Sequence, residues 1–256
     1  FNIKRQLFRS ILAKFGGNFY GFITGGAPLD PTVGEFFERI GIKVFQCYGL
    51  SETSPIISID RGDDRKLLSV GPVLDSYDAK IDEETGELLV KGPSVMKGYY
   101  NNPEKTAEVL EPDGWLHTGD IAEFDSDSRL YITGRIKNMI VLSGGKKVFP
   151  EEVEAVLEQN PNFAEVCVFG ATRTSGAKDG TEEIMTVVVP TDDVIAKYDS
   201  EDKLQSFIGQ EVKNLSVQLA PYKRPVNIVV RKEPLPRTAT RKVKRNVVKE
   251  ETMACY

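Results

Sequence analysis

A single histidine, a single tryptophan and three cysteines are spread through 256 residues. With only His117, the chain has no His-rich zinc set and no pair of histidines to divide acid and base roles. Cys47, Cys167 and Cys255 show no metal-ligand spacing. Their odd number, without a signal-like start, points to reduced thiols in a cytoplasmic setting and away from a disulfide scaffold. No apolar run approaches the ~20 residues of a membrane span; the longest, such as Ile184 to Val189, are strand-sized. Internal repeats and low-complexity tracts are also missing. A composition of 40% hydrophobic and 28% charged residues excludes collagen-like and wholly disordered chains. What remains is a globular chain of net charge −5, long enough for one large or two smaller domains at roughly 100–200 residues per domain.

The first residue is Phe1, and Ile3, Leu7, Phe8, Ile11, Leu12 and Phe15 recur at helical spacing. That pattern predicts an amphipathic helix whose apolar face needs a partner, and a chain that is part of a longer protein. A strand is expected over 19–24, then a helix opened by Asp30 as N-cap with Pro31 at its first position and stopped by Gly41. A second strand over 42–46 ends in Tyr48-Gly49-Leu50-Ser51-Glu52. This is a strand, helix, strand unit of the α/β kind, with ligand candidates beyond the carboxyl ends of both strands.

From about 60 to 134 the pattern changes to short alternating segments with turn signals at Glu83-Glu84-Thr85-Gly86, Pro112-Asp113-Gly114 and Asp125 to Ser128, which predicts a small antiparallel, β-barrel-like subdomain. Beyond residue 135 a strand over 139–142, a tight turn Ser143-Gly144-Gly145-Lys146, and a helix opened by Pro150 with Glu151, Glu152 and Glu154 near its start are expected. Strands at 165–169 and 184–189 and a helix over 204–219 complete a separate α+β domain. The domain organisation read from this is 1–134 (1–59 α/β, 60–134 barrel-like), a hinge at 135–138, and a small domain over 139–256. Lys223 to Lys249 concentrates Lys and Arg in an acidic chain, an asymmetry that points to an anionic partner at that end.

Four constellations carry candidate chemistry. Gly25-Gly26-Ala27-Pro28 is a turn in which backbone can approach a flat ligand. Tyr48-Gly49 offers an aromatic face at a strand end, with the Ser51 hydroxyl suited to phosphate and the Glu52 carboxylate to magnesium. In Gly114 to Asp120 the carboxylate of Asp120 could accept from the vicinal hydroxyls of a ribose. Against these stand plainer readings: an ordinary turn, a packed tyrosine, a turn aspartate, and a structural His117. Gly134-Arg135-Ile136-Lys137-Asn138 reads equally as a polar linker. Pro234 to Arg245 reads as a solvated basic tail, a nucleic-acid patch, or a loop presenting a lysine to a phosphoryl centre.

Together, in this order, Tyr48 to Pro55, Gly86-Glu87-Leu88 through Met96 to Pro103, Gly114 to Asp120, and Gly134 to Glu154 resemble the adenylate-forming superfamily, most of all its bacterial long-chain fatty acyl-CoA synthetases. The likeness covers nearly the whole chain. It implies a ligase that joins a fatty acid to coenzyme A through an acyl-AMP, with ATP/AMP, Mg²⁺ and CoA as its small molecules. By position it implies that Gly26, Ala27 and Pro28 lie against adenine, that Tyr48 stacks on it beside Gly49, that Ser51 contacts phosphate and that Glu52 holds magnesium. Asp120 and Arg135 would bind the ribose hydroxyls. Lys137 would be the hinge residue, and Gly144, Gly145 and Lys146, with Lys147 beside them, would face coenzyme A.

Lys242 would be the catalytic lysine of adenylation, from a lid that rotates about Lys137 to exchange it for the Gly144-Gly145 face. Two departures stand out: Ser51 replaces the usual threonine, and Arg241 stands where the family has glycine. The superfamily's phosphate loop and most of its large domain are not in these residues, so an upstream part of the same large domain is the expected partner, and the chain alone should not form acyl-CoA. No nucleic acid and no transmembrane segment are expected, while peripheral association with a membrane surface is left open. Rival readings are an aryl or amino-acid adenylating ligase and a non-catalytic AMP-binding module.

Overall fold

The computed structural model describes residues 6–172, 182–239 and 241–255. The chain divides into two compact units, Phe1–Ile132 and Thr133–Tyr256, so the expected hinge segment opens the second. In the first unit a short helix α1 (Arg9–Ala13) precedes β1 (Gly21–Gly25), α2 (Pro31–Arg39) and β2 (Lys43–Tyr48), and β2 lies parallel to β1. The start of α2 follows the sequence: Asp30 Oδ1 accepts from the Thr32 amide at 2.8 Å and Pro31 opens the helix. Gly41, at φ +88°, lets the chain turn away from its end. Leu12, Ile40 and Ile42 are buried with Phe8, Phe19, Phe22 and Phe37 around them. The amphipathic helix is only half satisfied, since Leu12 is buried while Leu7 is exposed, as are Ile23 of β1 and Phe36 of α2.

Strand β3 (Ser58–Ile59) pairs with β2 and leads into β4 (Gly71–Pro72), β5 (Asp78–Ile81), β6 (Glu87–Lys91), α3 (Pro103–Val109), β7 (Leu116–Phe124) and β8 (Arg129–Arg135). The five-stranded sheet has the order β4-β8-β7-β6-β5. The barrel-like region is therefore an open antiparallel sheet with β4 and β5 at its edges. No closed barrel exists among the described residues. Each turn signal is in place: Asp82 Oδ1 accepts from the Thr85 amide and hydroxyl at 2.8 and 2.7 Å, and Gly86 takes φ +78°. Ile57, Leu88, Val90, Leu116 and Leu130 fill its core.

The second unit has the hairpin β9 (Ile140–Val141) and β10 (Lys147–Val148), then α4 (Pro150–Leu157), β11 (Phe163–Thr172), β12 (Glu182–Pro190), α5 (Asp192–Lys197), α6 (Glu201–Ser216), β13 (Asn227–Val230) and α7 (Arg245–Cys255). Its sheet runs β11-β12-β13, with β12 antiparallel to β11 and parallel to β13, and α5 and α6 supply the crossover that a parallel pair needs. Both faces of this sheet are covered, which is why β11 and β12 are almost continuously apolar. One face packs Val166, Val168, Ile184 and Val188 on α4 and α6; the other packs Cys167, Phe169, Met185 and Val187 on Leu235 and Val248. Burial raises the Cys167 thiol to about 12, so it is an inert core group.

Strand β11 carries one extra residue near its start. Phe163 opposes Pro190 while Glu165 opposes Val189, so the bulge at Ala164 puts Phe163 and Glu165 on opposite faces. The basic cluster at 223–249 is less naked than its sequence suggests. Lys223 pairs with Glu152, Arg231 with Glu251, Lys232 with Glu201, Arg237 with Glu165, and Arg245 with Glu151 and Glu154. Five of the ten basic residues in this cluster are thus paired with acids inside the fold. No helix among the described residues is long and apolar enough to cross a membrane.

Candidate active site

Because β1 and β2 run parallel with Gly25 opposite Cys47, the turn Gly26-Ala27-Pro28 and the segment from Tyr48 onward leave the sheet at the same end. Gly26 takes φ +81° and all three turn residues are exposed. The Tyr48 ring packs against the core of the five-stranded sheet. Its Oη donates to Asp120 Oδ2 at 2.6 Å, joining residues 72 apart in sequence. Gly49 is required by packing: a Cβ there would lie 1.7 Å from the Pro55 carbonyl oxygen and 2.9 Å from Ile56 Cα. The next residues form one tight turn, Ser51–Thr53, in which Thr53 Oγ1 accepts from the Leu50 amide at 3.0 Å, and Ser54 follows at φ +57°. Tyr77 Oη donates to the Thr53 carbonyl at 2.5 Å and locks the turn to the sheet. Ser51 is exposed and Glu52 half-buried.

Glu52 is held at both ends. Its carbonyl accepts from the Met96 amide at 2.7 Å, and its Oε1 accepts from Tyr99 Oη at 2.9 Å. That hydrogen bond to a carboxylate, with burial adding to it, raises the Tyr99 phenol above its ordinary value. The pairing of Glu52 with Tyr99 escapes sequence reasoning, although Tyr99 lies in the stretch Met96 to Pro103 that carries part of the resemblance.

Asp120 owes its place to a bulge. Leu89 opposes His117 and Glu87 opposes Ile121, so Thr118, Gly119 and Asp120 all stand across from Leu88. Gly119 turns the strand at φ +71° and donates its amide to Glu87 Oε1 at 2.7 Å. Thr118 Oγ1 donates to the Leu88 carbonyl at 2.7 Å and accepts from the Asp120 amide at 3.2 Å. Asp120 is consequently 2% exposed, not a solvated turn aspartate. His117 sits between two acids, Nδ1 on Glu87 Oε2 at 2.8 Å and Nε2 on Glu111 Oε1 at 2.9 Å. Both ring nitrogens must donate to satisfy two carboxylates, so the bond to Glu87, with Glu111 assisting, raises the His117 pKa. The histidine is a structural brace, as its plainer reading held.

The remaining candidates lie in the second unit. Arg135 is half-buried at the end of β8, and Lys137 is exposed in the short turn Ile136–Asn138, whose Asn138 Nδ2 donates to Glu151 Oε1 at 2.6 Å. Gly144 and Gly145 both take positive φ at the tip of the β9–β10 hairpin, and Lys146 lies over the Tyr222 ring at 4.6 Å. Lys242 is exposed on a loop between β13 and α7. That loop is closed by bonds from the Thr238 amide to the Lys242 carbonyl (2.8 Å), from the Arg241 amide to the Thr238 carbonyl (2.9 Å) and from the Lys242 amide to Thr238 Oγ1 (3.1 Å). Arg241 itself takes φ +63°. The turn keeps the left-handed residue for which glycine is the unstrained choice, and fills it with arginine.

Just after the loop, Arg245 Nη2 donates to both carboxylate oxygens of Glu154 at 2.6 and 2.8 Å, Nη1 donates to Glu151 Oε1 at 3.1 Å and Nε donates to the Val168 carbonyl at 2.8 Å. Burial, only partly opposed by Arg245, raises the Glu154 carboxyl, and Arg245 in turn is held protonated by Glu154 and Glu151 against the opposing effect of its own burial.

Among the described residues no cluster of three or more His, Cys, Asp or Glu could cage a metal. A lone half-buried carboxylate at Glu52 beside the Ser51 hydroxyl instead fits magnesium, which takes one or two carboxylates and completes its shell from substrate phosphates and water.

Residues 6–100 match the AMP-binding enzyme family, and residues 152–242 match the C-terminal domain of AMP-binding enzymes. The chain belongs to the AMP-binding enzymes. Within this family, it is 39% identical over 243 residues to a long-chain-fatty-acid–CoA ligase of Bacillus subtilis, an alignment that takes in 90% of the chain and 40% of that protein. Among solved AMP-binding structures, ATP-bound MatB from Rhodopseudomonas palustris superposes with a TM-score of 0.77 at 30% identity, covering 98% of this chain and 50% of that one. The anthranilate CoA ligase AuaEII, in complex with anthranoyl-AMP, gives 0.75 at 26% identity over 91% of this chain and 45% of its own. The chain therefore spans half or less of the length of the AMP-binding enzymes it matches.

Proposed function

We propose that these residues work within an AMP-forming ligase that joins a long-chain fatty acid to coenzyme A. The observation that carries this reading is the Tyr48–Asp120 hydrogen bond of 2.6 Å. It fixes an aromatic ring and a buried carboxylate side by side at the end of two parallel strands, where a nucleoside offers a flat base and a diol. In this reading Gly26, Ala27 and Pro28 lie along the base, Tyr48 stacks on it beside Gly49, and Asp120 with Arg135 accepts and donates to the ribose. Ser51 contacts phosphate, and Glu52 would hold the magnesium that accompanies the nucleotide, a group that would supply positive charge to offset the phosphates.

The reaction has two halves. A carboxylate oxygen bonds to the α-phosphorus of ATP while the bond to the β-phosphate oxygen breaks and pyrophosphate leaves. Lys242 donates to the phosphoryl oxygens as charge builds on them, a role for a compact cation on a long stem. In the second half the thiol sulfur of coenzyme A bonds to the acyl carbon, the acyl–phosphate bond breaks, AMP leaves and the thiol proton passes to solvent. Gly144, Gly145 and Lys146 serve this half, and Lys137 is the hinge between the two arrangements.

A second reading, an aryl-acid ligase, is favoured by the likeness to the anthranilate CoA ligase. The test is ATP–pyrophosphate exchange by the protein at its natural length, with hexadecanoate, benzoate, anthranilate and an amino acid compared. Exchange with hexadecanoate that falls about 10²- to 10³-fold in Lys242→Ala supports the proposal. Exchange with an aryl or amino acid alone overturns the substrate, and AMP binding with no exchange at all overturns the ligase in favour of a sensor. The 256 residues by themselves are expected to show no acyl-CoA formation.

A further inference from the structure

The loop that carries Lys242 is tied down by two residues to which neither the family likeness nor the reaction assigns a role. Arg237 Nη1 donates to the Arg241 carbonyl oxygen at 2.6 Å, and its Nη2 donates to Glu165 Oε1 at 3.0 Å. The other oxygen of the same carboxylate, Glu165 Oε2, accepts from the Leu235 amide at 2.7 Å. Leu235 is itself buried against Cys167 and Phe169 of β11. One carboxylate thus fixes both the root of the loop, at Leu235, and the arm that spans it, Arg237.

The arm ends on the residue that most needs holding. Arg241 sits at φ +63°, a region that is strained for an L side chain relative to right-handed backbone. A glycine would enter it without that strain. Seating a guanidinium on the carbonyl of the strained residue, and a carboxylate behind the guanidinium, offsets the penalty by charge-assisted hydrogen bonds. The bulge at Ala164 is what turns Glu165 to this face; in an unbroken strand it would share the face of Phe163, on the side of α4 and α6.

We propose that Arg237 and Glu165 are positioning residues for adenylation. They hold the left-handed turn at Arg241, and with it the backbone from which Lys242 projects, in a conformation that glycine would adopt without strain. This rests on the assignment of Lys242 to the adenylation step, and the experiment separates the two.

Hydrogen exchange is read on the 256-residue chain at the amides of Thr238, Arg241 and Lys242, with the β12 amides as a control for the fold. In Arg237→Gln and in Glu165→Gln the loop amides exchange about three- to tenfold faster while β12 is unchanged, the scale expected of one or two charge-assisted bonds at a partly exposed site. Adding Arg241→Gly to Arg237→Gln returns the loop to within about twofold of the parent, because glycine removes the strain that the arm opposes. In the protein at its natural length, Arg237→Gln lowers pyrophosphate exchange by a similar factor and leaves thioester formation from preformed acyl-adenylate unaltered. Unchanged loop exchange, no rescue by Arg241→Gly, or equal losses in both half-reactions overturns the proposal. Should Lys242→Ala leave pyrophosphate exchange intact, the assignment of Lys242 fails and the positioning role in adenylation fails with it, while the exchange data still report on the strut.

Discussion

The turn at Tyr48–Ser54 and the loop at Leu235–Lys244 both present candidate site residues, yet they are held by opposite means. In the first, shape decides: Gly49 is there because the Pro55 carbonyl leaves no space for a side chain, and Tyr48 and Thr53 are tied to buried partners. In the second, charge decides: the left-handed residue is an arginine, and its carbonyl is held by an ion pair at a partly exposed surface. In the proposed function the first turn would gain from being preformed for its nucleotide, and the second loop would carry its lysine on a backbone whose ties all lie within the second unit. The turn is thus held by close packing, and the loop by solvated ion pairs that are individually weak and act together.

The sharpest way to break this contrast lies just after the lysine loop. Arg245→Met leaves Glu154 buried without its partner and is expected to destabilise the second unit by about 3–5 kcal/mol, measured by urea unfolding. A loss below about 1 kcal/mol would mean that the base of this loop is held as loosely as its tip. Next comes Gly49→Ala, which forces backbone away from a Cβ at Pro55 and should cost the first unit about 1–3 kcal/mol. A neutral result would show that the turn yields, against the view that shape decides there. Gly119→Ala places a Cβ at φ +71° in open space, so strain alone operates and the loss should be about 1 kcal/mol.

The smallest effect is a dependence on pH. His117 has its folded pKa raised from 6.5 by Glu87 and Glu111, so its contribution to stability is fully present below pH 6.5 and is lost as pH rises through the folded value. Unfolding midpoints followed from pH 6 upward should fall in the parent and stay flatter in His117→Gln. Parallel curves would sever the histidine from the bulge that places Asp120.

Much of the scaffold could be read from punctuation. Asp30-Pro31, Gly41, Gly86, Gly114 and Pro150 each stand where the backbone needs that residue, and the helix and hairpins they bound are present. Other elements left no such marks. Strand β13 (Asn227–Val230) is four residues long and half-buried, and α7 begins at Arg245 within a run of basic residues whose charge masks the apolar Val248 and Met253.

The site divides the same way. Tyr48 and Asp120 lie on segments whose turn glycines and strand ends are visible in sequence, and their direct bond agrees with reading them together. Glu165 was not legible, because a one-residue bulge decides which face it occupies and no local residue type announces that bulge. Tyr99 was missed as a partner of Glu52 for a related reason: the pair is 47 residues apart and joined only by the tertiary fold. The departure at Arg241 was visible, but its meaning needed the backbone angle.

The sheet of the second unit carries one more consequence. Since both faces of β11 and β12 are covered by apolar layers, sliding one strand by a single residue would exchange one greasy set for another, and hydrophobicity alone would barely object. What does object are carboxylates at fixed rungs: Glu154 on the Val168 amide, Glu165 on the Leu235 amide and Glu182 on the Val141 amide. Fidelity of alignment in this half of the molecule is therefore a task for a few acids at its margins, and the oily interior supplies cohesion without supplying the address.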